Sequence, residues 1–388
     1  MRLAVYTDYV YRRDGGRLYA ERAFAVFLDA LGEDERVETL RLIGRLGQDA
    51  PARYELSAGV ELTALPHYRS LAQPLAALRS LLASLRHMRR ALDDVDVVWV
   101  LGPYPHAIAL VLVALARRRT VVLGVRQDWP RYVRMRRPAR RWMHLAADAM
   151  EAIWRVLARR LPVVAVGSEL AASYAHAPAT LDLTVSLVRA PLPARPPARG
   201  YTGELRLLSV GRIEQEKNPL LLADVLALLP ARWRLLVAGE GELADAFAAR
   251  LEELGLSGRA ELLGYVPMSE RLLDLYRTSH ALLHVSLTEG FPQVLVEAFA
   301  SGLPVVATDV GGVAHGVGGA ALLVAPKDAR SAADALGRVA DEQPLRERLA
   351  SDGLERARGL TLEAQRERLL AFMVEAERRR AATPRRAP

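Results

Sequence analysis

Two cations in the second half of the chain are spaced as a phosphate site requires. Arg212 and Lys217 are five positions apart, between a predicted strand that ends before Gly211 and a predicted helix that begins at Pro219. A helix start attracts anions through its free N–H groups and its dipole. An arginine and a lysine beside it therefore predict a site for a doubly charged phosphate group. A solvated surface loop is the alternative that this motif alone leaves open.

Two acidic residues further along the chain could accept hydrogen bonds from the hydroxyl groups of a sugar. Glu289 precedes Gly290 and Phe291, and Glu297 is eight positions after Glu289, about one turn into a predicted helix. Both carboxylates can then point into one pocket, where Gly290 lets the backbone approach a ligand closely. A loop acid and a helix-surface acid without a ligand are the alternative. A third motif, segment 301–312, is a predicted strand followed by a double glycine. A double glycine is typical of a backbone that approaches another group closely or makes a tight turn.

Short apolar runs that alternate with helical patterns are the elements that must position these motifs. Strand–helix–strand order with continuously apolar runs predicts parallel sheets that are covered on both faces. The predicted fold is α/β, with two doubly wound, Rossmann-like domains that face each other across a cleft and bind ligands at the carboxyl ends of their strands. Four prolines within 190–200 mark the boundary between a domain over 1–195 and a domain over 196–360. A helix over 361–380 and a disordered tail over 381–388 complete the prediction.

The predicted elements follow from these patterns. The predicted strands are 2–7, 37–43, 95–101, 120–126, 163–167, 205–210, 233–238, 260–263, 281–285, 304–308 and 321–324. The predicted helices are 18–31, 70–92, 137–160, 219–229, 242–254, 293–300 and 361–380.

In their order and spacing, the three motifs resemble those of family 4 of the retaining glycosyltransferases, a group with the GT-B fold. The resemblance is strong over 205–324 and weak in the first half, where it rests on Gly15-Gly16 and the overall alternation. It implies an enzyme that moves a sugar from a nucleotide diphosphate donor to an acceptor, with UDP favoured over GDP as the carrier. It implies no cofactor and no metal, and an acceptor that is a glycan, a lipid-linked molecule or a small molecule. It also implies that the first domain binds the acceptor, and that the last helix crosses back onto that domain.

The resemblance implies a role for each matching residue. Arg212 and Lys217 match the pair that holds the donor diphosphate and stabilises it as it leaves, and fixed cations lower the barrier to such a departure. Glu289 matches the acid beside the donor sugar, next to the N–H groups of Gly290 and Phe291. The other implied donor contacts are Glu297 on the ribose, Gly16 facing the phosphates, Glu240 and Gly241 lining the nucleotide pocket, and the strand end at Gly264, Tyr265 and Val266, whose backbone reads the base. We assign no general base, because the departing diphosphate can accept the acceptor's proton.

The first domain departs from the family pattern where an acceptor would bind. Gln127-Asp128 stands where relatives often have a His-Asp pair, and Ala314-His315 replaces the usual Pro-Glu after the double glycine. His106 follows another predicted strand end and is either an acceptor contact or an ordinary residue at a helix start. The predicted acceptor-binding residues are His106, Gln127 and Asp128.

Two other function classes fit the same plan. A nucleotide-sugar epimerase or a phosphorylase is one alternative, and a sugar-nucleotide-binding protein that has lost activity is another. Gln127 in place of a histidine favours the inactive protein, whereas the presence of Arg212, Lys217, Glu289 and Glu297 argues against both alternatives.

Two further patterns suggest ligands that their surroundings do not support. Asp94-Val95-Asp96 has the Asp-x-Asp pattern of metal-dependent transferases, but it precedes a strand and is interpreted as a loop. Segment 239–244 imitates a dinucleotide fingerprint, but its two glutamates would repel a pyrophosphate.

The composition excludes several classes of protein. The 388 residues include no cysteine, which excludes thiol catalysis, iron–sulfur clusters and cysteine-ligated zinc. The longest apolar run, near 107–116, is far shorter than the about 20 residues that span a bilayer. The first residues form a predicted strand and lack the apolar region of a signal peptide. We therefore expect a cytoplasmic protein.

The basic residues are distributed unevenly in type and position. The formal net charge is +8, and 51 of the 53 cations are arginines. Segments 67–90 and 131–160 are arginine-rich and amphipathic, which is typical both of helices on anionic membranes and of the arginine usage of a GC-rich genome. The sequence leaves both interpretations open, so peripheral association with the inner face of the membrane stays an expectation. No nucleic-acid-binding motif accompanies the charge, and we expect no nucleic-acid partner.

Overall fold

The computed structural model describes residues 1–47, 51–66 and 74–382. The chain divides into two compact units. The first comprises Met1–Val185 together with the chain end from Gln365 onward, and the second comprises Ser186–Ala364. Residues 184–204 contain no helix or strand, and they include the proline-rich segment.

The first unit is built on a sheet that is mainly parallel. Its strands are β1 (Arg2–Asp14), β2 (Arg17–Ala20), β3 (Thr39–Leu46), β4 (Tyr54–Glu55), β5 (Val60–Leu65), β6 (Val97–Gly102), β7 (Thr120–Val125), β8 (Val163–Val166) and β9 (Thr180–Leu183). Its helices are α1 (Phe24–Asp29), α2 (Pro74–Ala91), α3 (Pro105–Ala116), α4 (Trp129–Arg136), α5 (Arg141–Ala158) and α6 (Ser168–Ser173). The parallel strands follow the order β5-β3-β1-β6-β7-β8-β9, and β2 and β4 extend β1 in antiparallel fashion.

The central strand β6 is apolar along most of its length, which explains why the sheet forms in the protein interior. Residues 97–101 on β6 read Val-Val-Trp-Val-Leu, and all five side chains are buried. Such a run fits a parallel strand that is covered on both faces. Helices α2, α3 and α5 cover one of those faces. Their side chains Met88, Leu110 and Trp154 pack in one cluster with every second residue of the strand.

The start of the chain differs from the sequence prediction. Strand β1 continues to Asp14, and Gly15-Gly16 turns it directly into β2, so the predicted helix over 18–31 is wrong for its first part. Gly15 and Gly16 have φ angles of 54° and 82°, which suit a two-residue hairpin turn. The turn pairs Asp14 with Arg17. The alternation of buried Leu18 and Ala20 with outward neighbours has the period of a strand, and a helix begins only at Phe24.

The second unit is a six-stranded sheet in which every strand is parallel. Its strands are β10 (Leu205–Val210), β11 (Trp233–Ala238), β12 (Ala260–Gly264), β13 (Ala281–His284), β14 (Val305–Thr308) and β15 (Ala321–Val324). Its helices are α7 (Leu220–Leu228), α8 (Ala244–Glu253), α9 (Glu270–Thr278), α10 (Gln293–Ala300), α11 (Val313–Val317), α12 (Ala329–Asp341) and α13 (Gln343–Arg358). The strand order is β12-β11-β10-β13-β14-β15, so the order reverses between β10 and β13. An open α/β sheet binds ligands outside the carboxyl ends of its strands at such a reversal.

The last helix, α14 (Leu362–Ala382), packs mainly within the first unit. Leu369, Leu370 and Met373 on this helix are fully buried. Glu367 accepts hydrogen bonds from Arg36 at 2.5 and 2.9 Å. The helix covers the predicted 361–380 almost completely, and of the predicted tail, residues 383–388 lie outside the described part of the chain.

Candidate functional site

The three sequence motifs meet at the carboxyl ends of β10, β13 and β14. The Leu287 N–H donates to the carbonyl oxygen of Glu216 at 2.8 Å, which joins the first motif to the second. The Gly312 N–H donates to the carbonyl oxygen of Glu289 at 3.3 Å, which joins the second to the third. The structure therefore places residues separated by about a hundred positions of sequence in one group of loops at the strand-order reversal.

Lys217 and Glu289 form an ion pair at the centre of this group. The Lys217 Nζ contacts Glu289 Oε1, and the same oxygen accepts from Ser286 Oγ at 2.8 Å and lies 3.3 Å from His284 Nε2. Burial alone would raise the pKa of Glu289, but the charge of Lys217 and the His284 contact lower it far below its usual value. Glu289 is therefore ionised at neutral pH, and it holds the ammonium group in a fixed position.

Arg212 is held by two acids of its own loop. Its Nη1 contacts Glu214, and its Nη2 lies 2.7 Å from Glu216 Oε1. The carboxylate of Glu216 is almost fully buried, whereas the arginine side chain is partly exposed. These contacts with Glu214 and Glu216 hold the guanidinium in place and leave part of it accessible to solvent.

Glu297 lies on α10 and is buried, with only 6% of the residue exposed. The hydroxyl of Tyr276, from α9, donates to its Oε2 at 2.6 Å. Burial raises the pKa of Glu297 above the ordinary glutamate value, and the Tyr276 hydrogen bond opposes that rise only in part. Burial also raises the pKa of Tyr276 well above its usual value, so the phenol stays a proton donor.

Gly239 and Gly241 are required by two loops that cross at close range. A Cβ on Gly239 would lie 1.8 Å from the carbonyl oxygen of Gly211, and one on Gly241 would lie 2.3 Å from that of Ile213. The Ile213 N–H donates to the carbonyl oxygen of Glu240 at 2.9 Å. The glycines that imitate a dinucleotide fingerprint therefore serve to bring segment 239–241 against the Arg212 loop, and Glu240 is exposed at its tip.

The remaining predicted donor residues of the second unit lie on neighbouring loops. Tyr265 and Val266 follow β12 directly, with Tyr265 half-buried and Val266 buried in the core. Gly290 is half-buried in the loop after β13. The Phe291 ring is buried against Gly316, where a Cβ would lie 2.2 Å from the ring.

The predicted residues of the first unit are at the carboxyl edge of its sheet or close to it. Gly16 is exposed in the β1–β2 turn. Asp128 caps α4 by accepting from the Arg131 N–H at 3.0 Å, and Gln127 precedes it. His106 is buried in the first turn of α3, with Nε2 3.2 Å from Ser80 Oγ. Burial, reinforced by the charge of Arg45, lowers the pKa of His106 to about 4, so this imidazole is neutral at pH 7.

Sequence reasoning missed three residues of the site. His284, which the sequence motifs do not include, contacts Glu289. Ser286 and Tyr276 position the two glutamates. The signal available for His284 and Ser286 was their place at the end of a strand that leads into the Glu289 loop, whereas Tyr276 lies on a helix that the sequence prediction did not include.

The described part of the chain contains neither a metal-binding cluster nor a helix suited to span a membrane. Within residues 1–47, 51–66 and 74–382, no group of three or more His, Asp or Glu residues is arranged to hold a metal ion. In the same residues, no helix combines the length and the apolar character needed to cross a bilayer. Asp96 of the Asp-x-Asp pattern binds Arg2, with 2.7 Å between Oδ1 and Nη2.

The fold belongs to the GT-B class, with two Rossmann-like α/β units. The crystal structure of HepE from Anabaena in complex with UDP is similar over 97% of this chain and all of that chain, with a TM-score of 0.69. The two sequences are 15% identical, so this likeness concerns the fold alone. Residues 195–356, which lie within the second unit, match the family model described as glycosyl transferases group 1. The resemblance predicted from the three motifs is confirmed at this level.

Two curated relatives match less than half of this chain. A D-inositol 3-phosphate glycosyltransferase of Corynebacterium glutamicum is 35% identical over 160 residues, which are 38% of this chain and 38% of the relative. The lipopolysaccharide core biosynthesis mannosyltransferase LpsB of Rhizobium meliloti is 32% identical over 169 residues, 41% of this chain and 47% of the relative. The alignments thus span less than half the length of these two relatives.

Proposed function

We propose that this protein is a glycosyltransferase that moves a sugar from a nucleotide diphosphate donor to an acceptor. The observation that carries the proposal is the convergence of Arg212, Lys217 and Glu289 at the strand-order reversal of the second unit. The group 1 family match over this unit and the names of its relatives support the same reaction class.

The chemistry of the site follows from its two fixed cations. Breaking the anomeric C–O bond places negative charge on the departing diphosphate, and preorganised cations stabilise that charge at no cost of reorganisation. A lysine ammonium has three donors, so Lys217 can hold Glu289 and still donate to a phosphate oxygen. Arg212 adds a planar donor whose position is set by Glu214 and Glu216. These two side chains are the proposed catalytic residues for leaving-group departure.

We propose that Glu289 acts in two ways. It positions Lys217, and its loop presents the backbone N–H groups of Gly290 and Phe291 to the donor sugar. Its low pKa makes it unsuitable as a general acid at neutral pH, since a general acid must hold a proton. Retention of the anomeric configuration, by same-face attack while the diphosphate takes the acceptor's proton, belongs to the same proposal.

The finer assignments of substrate are also proposals. UDP is proposed rather than GDP as the carrier, as the resemblance of the motifs to the retaining glycosyltransferases implies. The acceptor is a glycan, a lipid-linked molecule or a small molecule, and His106, Gln127 and Asp128 are its proposed contacts in the first unit. A buried, neutral His106 fits a supporting role better than direct proton transfer. Independence from metal and a cytoplasmic location complete the proposal.

The test is donor turnover by the full chain without added metal. UDP-, GDP-, ADP- and dTDP-sugars are incubated with and without mixed acceptors, and the released nucleoside diphosphate is measured. We expect one donor to be consumed, slowly with water and faster with an acceptor. Arg212→Ala and Lys217→Ala should each reduce the rate by about a hundredfold or more, as the loss of a preorganised transition-state donor does. Arg271→Ala, an exposed arginine of the same unit, is the matched control.

Other outcomes identify the alternatives. Isomerisation of the donor without an acceptor would support an epimerase, and phosphate-dependent cleavage of a glycan would support a phosphorylase. Tight donor binding without turnover on any acceptor would support an inactive sugar-nucleotide-binding protein. Normal turnover by folded Lys217→Ala would contradict the site assignment.

A further inference from the structure

Three helices of the first unit carry apolar residues on the side that faces away from the sheet. Among the described residues, ten of the fourteen exposed large apolar side chains are on α2, α3 and α5. They are Leu75, Leu78, Leu82 and Leu85 on α2, Leu112 and Leu115 on α3, and Trp142, Leu145, Ile153 and Val156 on α5. We call this set the outer apolar face.

The spacing shows that these residues form stripes along the helices. On α2 they recur at intervals of three and four residues, which places them on one side of the helix. Met88 and Ala91 of the same helix are buried against the sheet. Helix α2 is therefore apolar on two sides, and only the inner side is explained by the fold.

The three helices lie next to one another in one layer. Helix α3 contacts both α2 and α5, and buried residues of all three helices pack in one cluster on one face of the sheet. The outer stripes consequently belong to a single surface. Leu82 and Leu145 are 61% and 71% exposed, which is unusual for leucines of a folded protein when several occur together.

The segments that form this surface carry a net positive charge. Residues 74–91 contain four arginines and no acid, residues 105–119 contain three arginines and no acid, and residues 129–160 contain nine arginines and two acids. These segments carry a net charge of +14, whereas the whole chain carries +8, so the rest of the chain is net negative. Arg79, Arg86, Arg89 and Arg90 on α2 are exposed.

We propose that the outer apolar face docks on a lipid bilayer with anionic headgroups. Leucine and tryptophan side chains would enter the boundary between headgroups and acyl chains, while the flanking arginines bind lipid phosphates. Charge complementarity favours this occupant over a second copy of the chain, because two such faces would bring like charges together. The docking does not depend on the proposed glycosyl transfer, since the outer apolar face lies in the first unit and the diphosphate site in the second.

Flotation of the full chain with vesicles tests the proposal. One set of vesicles is phosphatidylcholine alone, and the other is phosphatidylcholine and phosphatidylglycerol in equal parts. We expect binding to the anionic vesicles, weaker binding at high salt, and little binding to the neutral ones. Leu82→Glu, Leu145→Glu and Arg86→Glu should each weaken the partition by about tenfold or more. Leu145→Ser should weaken it without a change of charge.

The control is Leu228→Glu, which alters an exposed leucine of the second unit, 40% exposed, and should bind as the wild type does. Circular dichroism verifies that each variant is folded. The proposal is overturned if the wild type ignores anionic vesicles, if it binds neutral vesicles equally well, or if the face variants bind normally. It is also overturned if light scattering finds a dimer that Leu145→Glu converts to a monomer, because a second copy would then cover the face. Failure of docking with intact donor turnover would leave the proposed function standing.

Discussion

Lys217 and Glu289 depend on each other for charge compensation, and this pair links the site to stability. Glu289 is largely shielded from solvent beside the buried His284 and Ser286, so its negative charge relies on the nearby ammonium group. Removing one partner of a buried pair leaves an uncompensated charge. Lys217→Ala should therefore cost about 2–4 kcal/mol in free energy of unfolding at pH 7.

The pH dependence of that loss is the specific prediction. In the wild type the pKa of Glu289 is lowered, so its stabilising effect is present above pH 4.5, its unfolded value, and is lost as pH falls through the folded pKa. Without Lys217, burial raises the folded pKa, and the penalty disappears once the carboxyl is protonated. Urea denaturation measures the free energy of unfolding of the wild type and of Lys217→Ala. The difference between these two free energies should shrink steadily as pH falls below neutrality. A difference that stays constant with pH would show that the ion pair is not its source.

The pKa shift of Glu297 is opposite in sign to that of Glu289. Its folded pKa is raised, so the protein is most stable with respect to this group below the unfolded pKa and loses stability as pH rises through the folded pKa. Glu297→Gln removes that loss and should be more stable than the wild type at pH 8 but not at pH 4. Nucleotide affinity should nevertheless fall if the carboxylate binds ribose. Thermal melting at both pH values checks the first result, and greater stability of the variant at pH 4 alone would contradict it.

At the residue scale, the sequence predicts which side chains belong to the site better than it predicts the contacts that they make. The spacing around Arg212, Lys217 and Glu289 indicates a charged site, because these residue types beside predicted strand ends have few structural uses. It does not indicate that Lys217 pairs with Glu289 or that Glu297 meets Tyr276. Those contacts depend on how separate loops and helices pack, which no local pattern encodes.

At the scale of elements, the crossing of two loops keeps the Arg212 segment in place. Gly241→Ala would put a Cβ 2.3 Å from the Ile213 carbonyl oxygen, and backbone atoms on both sides would have to move. The change should lower the free energy of unfolding by about 1–3 kcal/mol. Urea denaturation provides the measurement, and Gly258→Ala is the matched control because a Cβ there meets nothing within 4 Å. Equal stability of the two variants would refute the role given to this crossing.

Prediction of the elements succeeded for several strands and one helix of the second unit and failed for some short elements. Strands over 205–210, 233–238 and 321–324 and the helix over 293–300 have the predicted bounds. The hairpin strand β2 was missed because four residues after a double glycine carry too little pattern to outweigh a helical interpretation. Helix α9 was missed although its apolar face is clear in the structure. The prediction of α/β units with parallel sheets is confirmed.

At the scale of the whole molecule, the chain end is part of the first unit's core. Leu369 on α14 is fully buried, and its neighbour Arg366 donates to the Ala30 carbonyl oxygen at 3.0 Å. Leu369→Ala should cost about 2–5 kcal/mol in stability. Hydrogen exchange should then increase in strands of the first unit, more than 150 positions away in sequence, and stay unchanged in the sheet of the second unit. Leu228→Ala, at an exposed leucine, should change neither. Exchange that increases only within α14 would contradict the assignment of this helix to the first core.

The charge of the whole molecule is unevenly distributed between its parts. The helical layer of the first unit is strongly basic while the remainder of the chain is net negative. The sequence shows the arginine-rich segments, but only the structure shows that their leucines point away from the sheet. Periodicity cannot reveal this, because a helix that is apolar on two sides looks like a buried helix in sequence.

The most direct test of the central claim is a calorimetric titration of UDP and GDP, without added metal, into the wild type, Lys217→Ala and Arg271→Ala. The account predicts that one nucleotide binds the wild type and Arg271→Ala equally, and that Lys217→Ala binds it at least about tenfold more weakly, as the loss of a charge-assisted hydrogen bond to phosphate requires. Equal affinity in folded Lys217→Ala would contradict the diphosphate site. Absence of binding by the folded wild type, extended to ADP and dTDP, would contradict the donor class itself.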